Sequence, residues 1–226
     1  MLGLVLALAT PAAAGIRVTF SPPTLRPGDV SLVIVQGVDD GATLEGSVVG
    51  HPLVFFPYAR VTAALAAVDF ETRPGRYTWK IAVQDGPGEP RALSGRLVVS
   101  PRRFPVERLT LPPAVVDLDA ETTRRADAEQ AQLRTVFGTV TRERLWRGRF
   151  TPPIAAAGAG HGFGLHTAYF HLDQVTVAEQ DLVEQGQPIG AVGATGRATG
   201  PHLHFTAGVG RARIDPAALL RLTPQD

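Results

Sequence analysis

The chain has 226 residues, 44% of them hydrophobic and 19% charged, with a formal net charge of +1. That length and apolar content suit one or two packed cores, and the near-neutral balance without a Lys/Arg block gives no field that would draw nucleic acid or an anionic membrane. The absence of cysteine excludes disulfides and a lipid-modified cysteine anchor, so partners have to be argued from individual sites.

Leu2 to Ala9 is a short apolar run, and Ala12-Ala13-Ala14 follows with the small residues a signal peptidase needs. Residues 1–14 are therefore expected to be a signal peptide cut before Gly15, although no Lys or Arg precedes the run. The run is too short to span a bilayer. A secreted or periplasmic protein is expected.

From Ile16 to about Ser100, short β-type runs alternate with turn residues, which predicts an antiparallel sandwich. The runs are Ile16 to Phe20, Val30 to Gln36, Ala42 to Val49, Ala63 to Phe70, Tyr77 to Gln84 and Ala92 to Val99. Turns fall at Arg26-Pro27-Gly28-Asp29, Asp39-Asp40-Gly41, Arg73-Pro74-Gly75-Arg76 and Asp85-Gly86-Pro87-Gly88. In Tyr77 to Val83 the bulky apolar residues take every second position, as in a half-buried strand. Residues 15–100 read as an immunoglobulin-like sandwich that spaces or presents the next domain. Its one histidine, His51, reads as a loop residue.

Residues 101–154 read as a connector. It opens with Pro101, Pro105, Pro112 and Pro113, then offers Asp119 as cap of a helix with Ala126, Gln130, Leu133 and Phe137 on one stripe. Trp146, Phe150 and Pro152-Pro153 mark a docking segment at the entrance to the last domain, residues 155–226.

That domain carries the chemistry. Leu165 to Leu172 reads as one strand, with Thr167, Tyr169 and His171 on one face and Ala168, Phe170 and Leu172 on the other. By the same alternation His166 faces away, and Asp173 falls in a turn. Val183 to Gly190 is a turn entering a short strand, and Gly193 to Gly200 is a glycine-rich loop ending at Pro201-His202-Leu203-His204-Phe205. In a strand, His202 and His204 would share a face while Leu203 and Phe205 enter the core. Imidazole is a common zinc ligand and a base suited to neutral pH, though an H-x-H alone more often marks surface or structural histidines.

The flanking residues settle the reading. His161-Gly162, Thr167-x-Tyr169-x-His171-Leu172, Gly186-Gln187-x-Ile189-Gly190, Gly193-x-Thr195-Gly196, Thr199-Gly200-Pro201-His202-Leu203-His204-Phe205 and Asp215-Pro216 together resemble the LytM/lysostaphin family of zinc metalloendopeptidases. The resemblance implies a mainly β chain with a small C-terminal β domain and a groove in which zinc and its water cleave peptidoglycan peptides. It makes His204 a zinc ligand, and His171 and His202 the non-ligand catalytic histidines that help activate water and stabilise the tetrahedral intermediate. Tyr169, Thr199 and Gly200 would line the substrate groove.

One departure stands out. The family draws two further ligands from an upstream H-x-x-x-D, and no histidine here is followed four residues later by Asp. Phe150 to Ile154 resembles the family's entry into the domain and His161-Gly162 a point well inside it, so an internal deletion is inferred between Ile154 and His161. Open sheet edges and poor stability are expected from it. The sequence leaves two functions standing: a zinc endopeptidase of cell-wall remodelling, whose activity the missing ligands put in question, and a non-catalytic LytM-like module that binds wall or regulates another hydrolase. A biotinyl or lipoyl carrier is excluded, because it needs a hairpin lysine and the one lysine, Lys80, lies in the other domain.

Overall fold

The computed structural model describes residues 15–106, 108, 117, 119–138, 144–153 and 165–222. The expected signal peptide, Pro112 and Pro113, the segment from Ile154 to His161 and Gly162 lie outside them. The chain is mainly β.

The first eight strands are β1 (Arg17–Ser21), β2 (Val30–Gln36), β3 (Thr43–Val48), β4 (His51–Pro52), β5 (Phe55–Tyr58), β6 (Val61–Ala67), β7 (Gly75–Gln84) and β8 (Arg91–Val99). They form two four-stranded antiparallel sheets, ordered β1-β2-β6-β5 and β4-β3-β7-β8. Val33, Val35, Ala64 and Ala66 of the first sheet meet Ile81, Val83, Leu97 and Val99 of the second in one core. Two strands differ from the sequence reading. His51 is half-buried and pairs with Val48 in the short β4 instead of sitting in a loop. The unread β5 contains Pro57, which cannot donate to a ladder, and β5 accordingly lies at a sheet edge.

The first sheet is buried on both faces. The other side of β2 and β6, with Val30, Leu32, Ala63, Leu65 and Ala67, joins Phe56, Tyr58, Trp146 and Phe150 and the C-terminal residues Leu165, Ala207, Ala212, Ile214, Ala218, Leu219 and Leu222 in a second core. The sequence carries the cause: Val30 to Val35 and Ala63 to Val68 are nearly continuous apolar runs, the pattern of strands covered on both sides. The sandwich therefore builds half of the core beneath the C-terminal domain.

That domain contains β9 (Leu165–Phe170), β10 (Leu172–Val175), β11 (Gly190–Val192), β12 (His204–Val209) and β13 (Ala212–Ile214). The order β13-β12-β9 makes a three-stranded antiparallel sheet, and β10 pairs with β11. Among the described residues there are two helices, α1 (Ala120–Gly138) and α2 (Pro216–Leu220). Asp119 caps α1 as the sequence suggests, its carboxylate accepting from the Thr122 N–H at 2.7 Å. That bond holds its carboxyl below the ordinary value. Of the expected stripe only Leu133 and Phe137 are half-buried; Ala126 and Gln130 are exposed. Phe137 stacks on His166 with ring centroids 4.2 Å apart.

Polar contacts fix the C-terminal sheet on the sandwich. Asp215 caps α2 by accepting from Ala217 N–H at 2.9 Å, with Pro216 in the first turn, and its own N–H donates to the Gly28 carbonyl at 2.8 Å. Arg102 bridges Asp215 and Asp29. Arg213 engages Asp69 through both backbone and side chain, and Glu71 at 3.0 Å.

Candidate functional site

β9 does not run through to Leu172. It ends at Phe170, His171 takes a left-handed backbone with φ 65°, and β10 starts at Leu172. A non-glycine residue in that region is uncommon, and here it swings one side chain out of the alternation. The cross-strand pairs Phe170–His204, Ala168–Thr206 and His166–Gly208 define one face of the sheet, and Tyr169–Phe205, Thr167–Ala207 and Leu165–Val209 the other.

Three histidines gather at one end of the first of these faces. The His171 ring lies 4.7 Å from that of His202 and 5.9 Å from that of His204, and Phe170 lies 5.2 Å from His204. His202 precedes β12 and is held by an isolated bridge to Gly193, its N–H donating to the Gly193 carbonyl at 3.0 Å. Two further bonds orient the rings: His171 Nδ1 meets the Thr195 carbonyl at 2.8 Å, and His202 Nδ1 meets the Gly200 carbonyl at 2.8 Å. A carbonyl only accepts, so each Nδ1 donates, and in the neutral ring Nε2 is left as the acceptor. His202 and His204 are exposed and His171 half-buried, so the cluster opens to solvent.

Because of the left-handed turn at His171, Tyr169 lies on the opposite face from the histidines and His166 on theirs. Tyr169 stacks on Phe205 at 5.2 Å, on the face opposite His204. It lines a cavity of about 1010 Å³ with Trp146, Phe150, Leu172, Val192 and Leu203, which none of the three histidines lines. Burial raises the Tyr169 phenol above its ordinary value, against the lowering effect of its hydrogen bond with Thr167. His166, expected to face away, shares the face of His204 by register, four residues along β9. Of the expected groove residues, Gly200 serves as the acceptor for His202 and Thr199 is exposed in the loop. Asp173 packs against Gly193, where a Cβ would stand 2.5 Å from the Asp173 backbone nitrogen.

Residues 156–216 match the model of peptidase family M23, and the chain carries an M23, LytM-type peptidase domain in that segment. Within it the chain is 47% identical over 55 residues to peptidoglycan DD-endopeptidase ShyB of Vibrio cholerae, covering 24% of this chain and 13% of that protein. It is 42% identical over 65 residues to DD-carboxypeptidase/endopeptidase Mpg of Neisseria meningitidis, covering 29% and 15%. The chain thus spans only a small part of the length of these relatives. A solved Pseudomonas aeruginosa structure, provisionally described as a peptidase M23, shares the fold at a TM-score of 0.60 and 21% identity, over 88% of this chain and 95% of that one.

Zinc is the metal the family implies, and the residues present can be tested against it. A catalytic zinc usually takes three protein ligands. Among the described residues no group of three or more His, Asp or Glu side chains is arranged to hold a metal. His171 and His202 direct Nδ1 at backbone carbonyls, which leaves each Nε2 free toward the site, and the resemblance makes only His204 a ligand. The described residues alone do not complete a three-ligand zinc site.

Proposed function

We propose that the C-terminal domain is directed at peptidoglycan peptides in the secreted or periplasmic space, as a LytM-type module that engages them through the His171–His202–His204 face without completing a zinc site of its own. The observation that carries this reading is the convergence of the three rings beside a loop whose carbonyls orient two of them. Imidazoles whose Nδ1 is tied to a carbonyl turn Nε2 toward the amide N–H groups of an extended peptide, and the exposed face leaves room for a chain to lie along it. The names of the relatives, both peptidoglycan or carboxypeptidase/endopeptidase enzymes, supply the substrate class. A module of this kind serves cell-wall remodelling by binding wall or by regulating a partner hydrolase.

The second reading, a zinc endopeptidase, is favoured by the retention of His171 and His202 close to His204. Under it His204 is a metal ligand, His171 and His202 are catalytic, and the remaining ligands must come from outside the described residues. Incubation with purified insoluble peptidoglycan separates the two. The first reading predicts that the chain sediments with the wall, that a His171→Ala/His202→Ala double variant sediments less, and that no soluble peptide is released. Release of peptides that stops in His204→Ala would establish the second reading, and failure of the unaltered chain to sediment or digest would defeat both.

A further inference from the structure

We propose that Thr195 is a positioning residue for His171, setting the orientation and tautomer of its imidazole. His171 lies in neither ladder, because β9 ends at Phe170 and β10 begins at Leu172, so sheet pairing does not fix it. One loop residue does so instead. The Thr195 carbonyl accepts from His171 Nδ1 at 2.8 Å, and the Thr195 hydroxyl donates to the carbonyl of Leu172, the next residue in the chain, at 2.8 Å. The ring at the left-handed turn and the backbone carbonyl just after it are thereby held by the same residue.

The base of the loop is seated on the same segment. Gly193 approaches Asp173 so closely that a Cβ would stand 2.5 Å from its backbone nitrogen, and the Gly193 carbonyl receives the His202 N–H. The glycine contact fixes the start of the loop, and the hydroxyl fixes the carbonyl that meets His171. Threonine is therefore needed at 195 for its side chain, since any residue supplies the carbonyl. Without the hydroxyl the carbonyl is no longer tied to Leu172, and the ring is free to exchange Nδ1–H for Nε2–H, which removes the acceptor from the site. The use made of that acceptor rests on the function proposed above; the tautomer does not.

The test is nitrogen NMR on the full chain labelled at histidine, recorded at a pH where imidazole is neutral, with peptidoglycan sedimentation alongside. His171 in the unaltered chain should show Nδ1–H alone. Thr195→Ala and the near-isosteric Thr195→Val should show mixed tautomers and about fivefold weaker sedimentation, the effect of one lost hydrogen bond. Thr195→Ser should restore both. Unaltered His171 signals in the Ala and Val variants, or mixed tautomers persisting in Thr195→Ser, would overturn the proposal. If the unaltered chain does not bind peptidoglycan, the function fails while the nitrogen spectra still decide the role of Thr195.

Discussion

At His171 a single backbone angle decides which side chains share the site. Strict alternation from Leu165 to Leu172 would group His171 with Tyr169; the left-handed turn groups it with Phe170 and His204. Nothing in the sequence near His171 signals that turn, because the residue is not glycine and the flanking residues fit a strand. The H-x-H and the glycine-rich loop were legible, since histidines in such a setting stand out by type and spacing. Two of the loop's neighbouring glycines are tied to close approach: a Cβ on Gly193 meets the backbone of Asp173, and one on Gly190 meets the Gln174 carbonyl. Gly193→Ala should cost about 1–3 kcal/mol in urea unfolding, the usual range for overpacking against atoms that cannot move aside. A variant as stable as the parent would show that the loop does not sit on β10.

Among the elements, the strands of the sandwich were readable wherever polar and apolar residues alternate or turns punctuate the runs. β5 was not, because Phe55-Phe56-Pro57-Tyr58 carries a proline that argues against a strand yet is tolerated at the edge it occupies. Helix α1 shows the opposite case. Its cap was legible from Asp119, but no residue of α1 is buried, and Phe137 near its C-terminal end stacks on His166. A helix this polar draws little stability from tertiary packing. Phe137→Ala should therefore speed amide exchange along α1 while leaving the urea midpoint of the β structure unchanged. A drop in that midpoint would mean that α1 is part of the core.

Across the whole molecule, the sandwich and the C-terminal domain share one core. In the sequence the turns and prolines between Ser100 and Pro153 look like a linker between separate domains, whereas the two-sided burial of β2 and β6 is a long-range fact visible only as missing alternation. Leu219, fully buried in that shared core, should cost about 2–5 kcal/mol when changed to Ala, and the whole chain should unfold in one lowered transition. Two separate transitions, with only one displaced, would contradict a shared core.

The Asp69–Arg213 contact ties the same halves together electrostatically. Burial alone would raise the Asp69 carboxyl, but the Arg213 side chain and the Glu71 and Arg213 backbone N–H groups together hold it below its ordinary 3.8. A carboxyl lowered in the folded state adds stability above its unfolded value and loses it as the pH falls through the folded one. Asp69→Asn should thus be less stable than the parent at neutral pH, and the difference should shrink as the pH falls below 3.8 and vanish only once it passes the lowered folded value. A difference that does not change with pH would mean that the ion pair contributes nothing to stability.

If the histidine face serves peptide recognition without a complete metal site, the purified protein should hold no stoichiometric zinc. Elemental analysis of zinc in the dialysed full chain, with His204→Ala as control, decides the matter. The expected result is zinc well below one ion per chain and no difference between the two proteins. About one zinc per chain, lost in His204→Ala, would contradict an incomplete metal site and favour the endopeptidase reading.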